Sequence, residues 1–189
     1  MFTTNINSIP LSFKTEKTLF SPEHADKGTL SMLNKTTFSM SSDEKVLDLG
    51  CGYGIVGIYI AKIIGAQKVY MLDSNPIAVS VAKENAILNG VCEITTIKSN
   101  GFEELDQKDF TMILSNPPYH SDFSIAKSFI EKGFNRLSVG GRFFMVTKRR
   151  DWYEKKMTAI FGGVKIYDED DYFIFESIKK SITRKDKSK

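Results

Sequence analysis

From residue 45 onward, short apolar runs alternate with amphipathic stretches, and this alternation restricts the possible folds more than any other property of the chain. "KVLDLG" (45–50) reads as a buried strand and "GIVGIYIAKIIG" (54–65) as a helix stopped by a glycine. "KVYMLD" (68–73) is a second strand, and "NPIAVSVAKENAILNG" (75–90) a helix with Pro76 in its first turn and Gly90 at its end. "CEITTIK" (92–98) and "FTMILS" (110–115) supply a third and a fourth strand. "SDFSIAKSFIEKGFNRL" (121–137) has helical spacing, with Ser121 or Asp122 as the expected cap. "GRFFMVT" (141–147) is a fifth strand and "DWYEKKMTAIFG" (151–162) a helix, before "GVKIYD" (163–168) and "DYFIFESI" (171–178) close as a strand pair. Repeated βα units call for a parallel sheet covered by helices on both faces. Ligands of such sheets bind beyond the carboxyl ends of the strands, near the switch in strand order.

The rest of the chain fits one domain. At 189 residues it is long enough to bury a core, and 41% hydrophobic with 26% charged residues suits a soluble globular protein. Cys51 and Cys92 give neither a disulfide framework nor metal-ligand spacing; a reducing cytoplasm is the expected compartment, and nothing in the chain demands a metal. "MFTTNINSIP" has no basic region leading into an apolar one, so no signal peptide is expected, and no apolar run approaches a membrane span. Residues 1–44 form an extension, in which "LSFKTEKTLFSPEHADKGTLSML" (11–33) reads as a strand or two followed by a helix from near Asp26. The core is expected over 45–178, and the basic stretch 179–189 as a disordered tail. Net charge is only +3, with acidic residues gathered in "DEDD" (168–171) and basic ones in the tail and in "KRR" (148–150).

"DLGCGYGIVG" (48–57) carries glycines at 50, 52, 54 and 57, between a strand and a helix. Such a turn lets backbone approach a ligand closely, with helix N–H groups facing it. Asp73 ends the next strand, where a carboxylate can accept two ribose hydroxyls or assist the cap of the following helix. The glycines alone do not distinguish a nicotinamide dinucleotide from another nucleotide cofactor. Asp48, inside a buried strand, needs donors; it either orders the loop or meets a cationic cofactor group. Cys51 reads as a small residue in a tight turn.

"SNPPYH" (115–120) follows the fourth strand directly. The two prolines stiffen the corner and add no N–H. An exocyclic or amide –NH₂ is a poor nucleophile because its lone pair is delocalised. Two acceptors, the Asn116 side-chain carbonyl and the Pro117 backbone carbonyl, can hold its hydrogens and aim that lone pair at an electrophile. Tyr119 offers a face for stacking a planar group, which for a base in structured nucleic acid implies extrusion. His120 can reach substrate or stand as a turn residue, and His24 has no identifiable partner.

"VLDLGCGYGIVGI" with "NPPYH" downstream resembles class I S-adenosylmethionine-dependent methyltransferases that modify amino nitrogens, and more narrowly the methyltransferase small domain group, which includes ribosomal RNA guanine-N2 methyltransferases. "LFSPEHADKGT" (19–29), "SNGFEEL" (99–105) and "LSVGGRFFMVTKR" (137–149) extend the resemblance over nearly the whole chain. It implies a Rossmann-like, doubly wound α/β fold with a seven-stranded sheet in the order 3-2-1-4-5-7-6, the last strand antiparallel. It implies that Asp48, Gly50, Gly52 and Gly54 surround the methionine part of S-adenosylmethionine and that Asp73 holds its ribose. Ser74 and Asn75 would lie beside the adenosine, and Asn100, where relatives often carry an acidic residue, would face the adenine amino group. Gly28 and Thr29 match the N-terminal segment that approaches the cofactor. Asn116, Pro117 and Tyr119 carry over as catalytic positions, Asn116 also beside the cofactor; many ribosomal RNA enzymes have Phe where Tyr119 stands.

The activity implied is methylation of a base amino group in RNA, guanine N2 of ribosomal RNA foremost, by a monomer or homodimer. Glutamine in a protein and adenine N6 fit the same acceptor geometry. A cofactor- or RNA-binding module without catalysis leaves the intact corner unused, and a nicotinamide oxidoreductase leaves it unexplained. "KRR" (148–150) with Trp152 either makes a nucleic-acid rim or flanks a helix whose Trp packs into the core.

Overall fold

The computed structural model describes residues 1–38, 43–118 and 123–181. β1 (Phe2–Ile6) and β2 (Ile9–Phe13) form an antiparallel hairpin. Its turn residues Asn7 and Ser8 both have positive φ, as the favoured two-residue hairpin loop requires. Asn-Ser lacks the glycine that marks such a turn in sequence, so β1 escaped a reading that began the strands near residue 11. α1 (Lys27–Lys35) starts where Asp26 caps it, its carboxylate accepting from the Thr29 N–H. The core runs β3 (Val46–Leu49), α2 (Ile55–Ile64), β4 (Val69–Asp73), α3 (Pro76–Leu88), β5 (Thr95–Lys98), β6 (Phe110–Ser115), α4 (Ser124–Arg136), β7 (Leu137–Thr147), α5 (Asp151–Phe161), β8 (Lys165–Glu169) and β9 (Tyr172–Ile178). No helix among the described residues is long and apolar enough to cross a membrane.

The seven-stranded sheet has the order β5-β4-β3-β6-β7-β9-β8. Counted from β3, this is the expected 3-2-1-4-5-7-6. β5, β4, β3, β6 and β7 pair in parallel, while β9 runs antiparallel to both β7 and β8. Strand period sorts the core onto two faces. Val46, Met112, Leu114, Phe144 and Val146 pack toward α1, α2, α3 and the hairpin. Leu47, Leu49, Ile113, Phe143 and Met145 pack toward α4 and α5. All four β3 residues are buried, as befits a central parallel strand.

Several boundaries differ from the sequence reading for local reasons. β5 begins at Thr95 because Cys92–Ile94 turn, the Ile94 N–H donating to the Val91 carbonyl. β7 starts at Leu137, directly after α4, and reaches its main register through a shift between Phe110 and Met112. The N-cap of α4 is Phe123, without a side-chain cap; Ser121 and Asp122, the expected caps, lie outside the described residues. Described chain also continues past 178. Lys179 is buried, its ammonium donates to the Leu137 carbonyl, and its backbone pairs with Gly140 and Gly141.

The extension is tied to the core by Asn85 of α3 and by Asn89 at its C-cap. Asn89 accepts from the Ser12 N–H and donates back to its carbonyl, and Asn85 does the same with Lys14. These side chains take the place of a neighbouring strand along the edge of the hairpin and its exit. Asn85 also donates to the Tyr53 carbonyl, which joins the hairpin to the glycine turn.

α2 lies close to β4 at Gly57, where an added Cβ would sit 2.5 Å from Cγ of fully buried Met71. Gly57→Ala is therefore expected to lower the unfolding free energy in urea by about 1–3 kcal/mol. Gly163→Ala, where nothing stands within 4 Å of the added carbon, should stay within about 0.5 kcal/mol of the parent.

Candidate active site

β3 lies between β4 and β6, so the chain moves from one side of the sheet to the other at the β3/β6 boundary. The Ser115 hydroxyl donates to the Leu49 carbonyl at 2.7 Å and binds the two strand ends together. Beyond those ends lies a cavity of about 310 Å³. The glycine turn, Asp73 to Asn75, Ser99 to Gly101 and Asn116 to Pro118 form its walls, with Thr18, Leu19, Phe20, Asp26 and Thr29 contributed by the extension.

The turn after β3 depends on glycine at Gly50 and Gly52, whose φ values are +77° and +56°. Its backbone is held by β4: Gly50 and Cys51 N–H both donate to the Leu72 carbonyl, and Gly52 N–H donates to Asp73 Oδ2 at 2.9 Å. The other Asp73 oxygen accepts from Asn75 N–H at 2.9 Å. The cap of α3 is Asn75 itself, accepting from Ile77 N–H, so Asp73 shapes the loops on both sides. Each of its oxygens keeps a lone pair for a further donor.

Asp48 is 2% exposed and accepts from Gly57 N–H at 2.9 Å. Burial pushes its carboxyl up to about 7, against the lowering effect of that hydrogen bond, and Asp73 adds a smaller upward push. Burial likewise raises the Cys51 thiol, helped by Asp48 and Asp73, so the thiol stays protonated and is a wall rather than a nucleophile. The Tyr53 phenol is raised by burial and by the Asp26 carboxylate.

Asn116 has the most specific environment. Its amide nitrogen donates to Asp26 Oδ2 at 3.0 Å and to Thr29 Oγ1 at 2.9 Å. Its carbonyl oxygen is buried and has no hydrogen-bond partner among the described residues. Asp26 also accepts from Thr29 N–H at 2.8 Å and, on its other oxygen, from the Tyr172 hydroxyl at 3.0 Å. Gly28 lets Tyr172 approach: an added Cβ there would lie 2.4 Å from the ring.

Of the residues singled out in sequence, Thr29, Asp48, Gly50, Gly52, Asp73, Ser74, Asn75, Asn100, Asn116 and Pro117 line the one cavity. Gly28 and Gly54 do not: Gly28 faces Tyr172, and Gly54, at φ +94°, is the N-cap of α2 packed near Ala82 and Met71. Asn100 is exposed and donates to Glu103. Tyr119 and His120 lie outside the described residues. Sequence reasoning took Asp26 only as a helix start and missed Phe20, Tyr53 and Phe129 as lining residues. Single aromatic residues in a loop or on a helix carry no local sign of facing a site, and Asp26 meets Asn116 across 90 residues.

Trp152 packs against the core on the face covered by α4 and α5 without being fully enclosed. It is half-buried and stacks on Phe123 at 4.4 Å, with the Arg149 guanidinium over the other ring at 5.2 Å. Lys148 lies 4.8 Å from the centre of the Tyr172 ring.

The raised Asp48 carboxyl makes a pH prediction. Between the unfolded value of about 3.9 and the folded value, the unfolded chain ionises Asp48 while the folded chain keeps it protonated. Stability from this group is therefore lost as pH rises from about 4 to about 7, with a slope of up to about 1.4 kcal/mol per pH unit. Asp48→Asn removes that slope, so the variant's unfolding free energy should gain on the parent across this window in parallel urea titrations. A constant difference from pH 4 to 7 would contradict the assignment.

Residues 10–176 match the model of the methyltransferase small domain. A ribosomal RNA small subunit methyltransferase C from Psychromonas ingrahamii is 33% identical over 89% of this chain and 48% of its own length. The protein YbxB of Bacillus subtilis is 26% identical over 89% of this chain and 86% of its own. Among solved structures, the T. thermophilus 16S rRNA N2 methyltransferase RsmC, in complex with AdoMet and guanosine, superposes with a TM-score of 0.86 at 24% identity, over 95% of this chain and 50% of that one. The chain thus spans about half the length of the methyltransferase C relative, but most of YbxB. With a family match over most of its length and the strand order of that fold, the chain belongs to the methyltransferase small domain family.

Proposed function

We propose that this protein is an S-adenosylmethionine-dependent N-methyltransferase acting on an exocyclic amino group of a base in RNA, with guanine N2 of ribosomal RNA as the target. The observation that carries the reading is the buried, unpartnered carbonyl oxygen of Asn116, at the wall of a cavity beside a carboxylate-bearing glycine turn. A buried acceptor left without a donor is costly unless a ligand supplies one. An amino group with two hydrogens is the donor that this corner suits, with Pro117 contributing the second carbonyl.

The cavity residues fit the cofactor. About 310 Å³ is within the range of small-molecule sites. Asp73 has lone pairs left for ribose hydroxyls, with Ser74 and Asn75 beside it for the adenosine and Asn100 for the adenine edge. Asp48, deeply buried with no cation beside it among the described residues, suits a ligand that brings positive charge next to Gly50 and Gly52. S-adenosylmethionine held by these residues would supply a methyl group on a sulfonium, an electrophile whose carbon–sulfur electron pair would leave with sulfur.

The chain's own residues then orient and shield. Asn116 and Pro117 hold the two amino hydrogens so that the nitrogen lone pair faces the electrophile. Their carbonyl dipoles stabilise the positive charge that develops on that nitrogen until it releases a proton to water. Tyr119 is assigned to stacking on the extruded base. The names of the relatives, which include methyltransferases of both ribosomal subunits, support RNA as the polymer. The Arg149–Phe123–Trp152 cluster combines a guanidinium with stacked rings, which suits a nucleic-acid backbone and base better than an extended peptide.

Labelled-methyl transfer from S-adenosylmethionine, run in parallel on total RNA, DNA and protein, tests the reading. Label is expected in RNA and, after digestion, in N2-methylguanine. Asn116→Ala should reduce transfer by about 10²–10³-fold. Label in protein instead would move the substrate to glutamine, and label in N6-methyladenine would change the base.

A further inference from the structure

The reading above makes Asn116 the acceptor of the substrate's amino hydrogens, and it works only if the amide presents oxygen rather than nitrogen to the substrate. An amide side chain is nearly symmetric in shape, so packing alone does not choose between its two orientations. We propose that Asp26 is a positioning residue that makes this choice and strengthens the acceptor it leaves for the substrate. The proposal rests on the assigned amino-nitrogen methylation.

The geometry is specific. Asp26 Oδ2 lies 3.0 Å from Asn116 Nδ2. An ionised carboxylate only accepts hydrogen bonds, so nitrogen must face it. Rotating the amide by half a turn would press its oxygen against the carboxylate with no proton between them. Thr29 Oγ1, 2.9 Å from the same nitrogen, can donate or accept and does not decide the orientation by itself. With both amide hydrogens engaged, the remaining oxygen is the group without a partner. Asp26 is itself held still, by Thr29 N–H and by the Tyr172 hydroxyl.

The charge has a second effect. Drawing the amide hydrogens toward a carboxylate polarises the amide and puts more negative charge on its oxygen. That oxygen then interacts more strongly with an amino nitrogen turning cationic than with the neutral amine, so the gain falls in the transition state. Asp26 is not placed as a proton acceptor: it is 7% exposed, and its two oxygens already receive three hydrogen bonds.

Asp26→Asn tests this with little structural damage, because Asn is an equally good helix cap: its one oxygen can take the cap bond from Thr29 N–H while its amide nitrogen donates to the Tyr172 hydroxyl, which can also accept. It removes the charge and makes both orientations of Asn116 available. In steady-state assays on the RNA substrate, kcat is expected to fall about 10- to 100-fold. KM for RNA, cofactor affinity, melting temperature and the shape of the pH–rate profile should stay close to the parent. A kcat within about 2-fold of the parent, or a loss confined to KM or to stability, would overturn the proposal. So would loss of one limb of the pH–rate profile, which would make Asp26 an acid–base group.

A second measurement does not depend on the activity. The Asn116 side-chain amide resonances, identified by their absence in Asn116→Ala, should exchange slowly with solvent in the parent. In Asp26→Asn they should exchange at least tenfold faster. Fast exchange in the parent would overturn the positioning role. Slow exchange in a protein that transfers no methyl group would sustain the Asp26–Asn116 coupling and remove the functional reading beneath it.

Discussion

The Asp26 carboxylate is the interaction on which the site depends. A nearly buried charge must be satisfied by donors, and this one draws them from three separate parts of the chain: the first turn of α1, the corner after β6 and the start of β9. Gly28 has no side chain, so Tyr172 can come close enough to complete the set. The N-terminal segment is thereby fixed over the carboxyl edge of the sheet, where it supplies five of the residues lining the cavity. The same bonds that anchor the segment also orient the amide of Asn116.

Electrostatics in the cavity pull in opposite directions. Asp73 is well served, with a backbone N–H on each oxygen, and it holds the glycine turn in shape. Asp48, just before that turn, accepts one hydrogen bond among the described residues and is raised by burial. Ionisable groups left under such strain concentrate at functional sites, because the compensation arrives with the ligand. On the proposed reading, a cationic cofactor relieves Asp48 and a substrate amino group relieves Asn116. On that reading the raised carboxyl and the unpartnered amide oxygen each match one of the two reactants.

The surroundings keep these groups where they are. Asn85 and Asn89 hold the hairpin and its exit against α3, and Asn85 also grips the glycine turn through Tyr53. Ser115 joins the ends of β3 and β6 at the point where the strand order reverses. Side-chain amides and hydroxyls thus take over where the backbone ladder ends, and they do so around the cavity.

Local sequence determined the repeating βα units, the glycine turn with its left-handed residues, the carboxylate at the end of β4 and the rigid Asn-Pro-Pro corner. Hydrophobic period, glycine and proline act over a few residues, and so they can be read from a few residues. Strand order in the sheet was legible only through resemblance to a family, since period alone does not say which strand lies beside which. The hairpin at Phe2 was missed because Asn-Ser is a weak turn signal, and the early start of β7 because Gly140 and Gly141 masked the strand's first residues. Only the tertiary structure decided that Gly28 serves Tyr172 and that Asp26, beyond capping a helix, faces Asn116. Those pairings join residues about 90 to 146 positions apart. No short-range pattern encodes them, because they exist only when the sheet brings the strand ends to one edge.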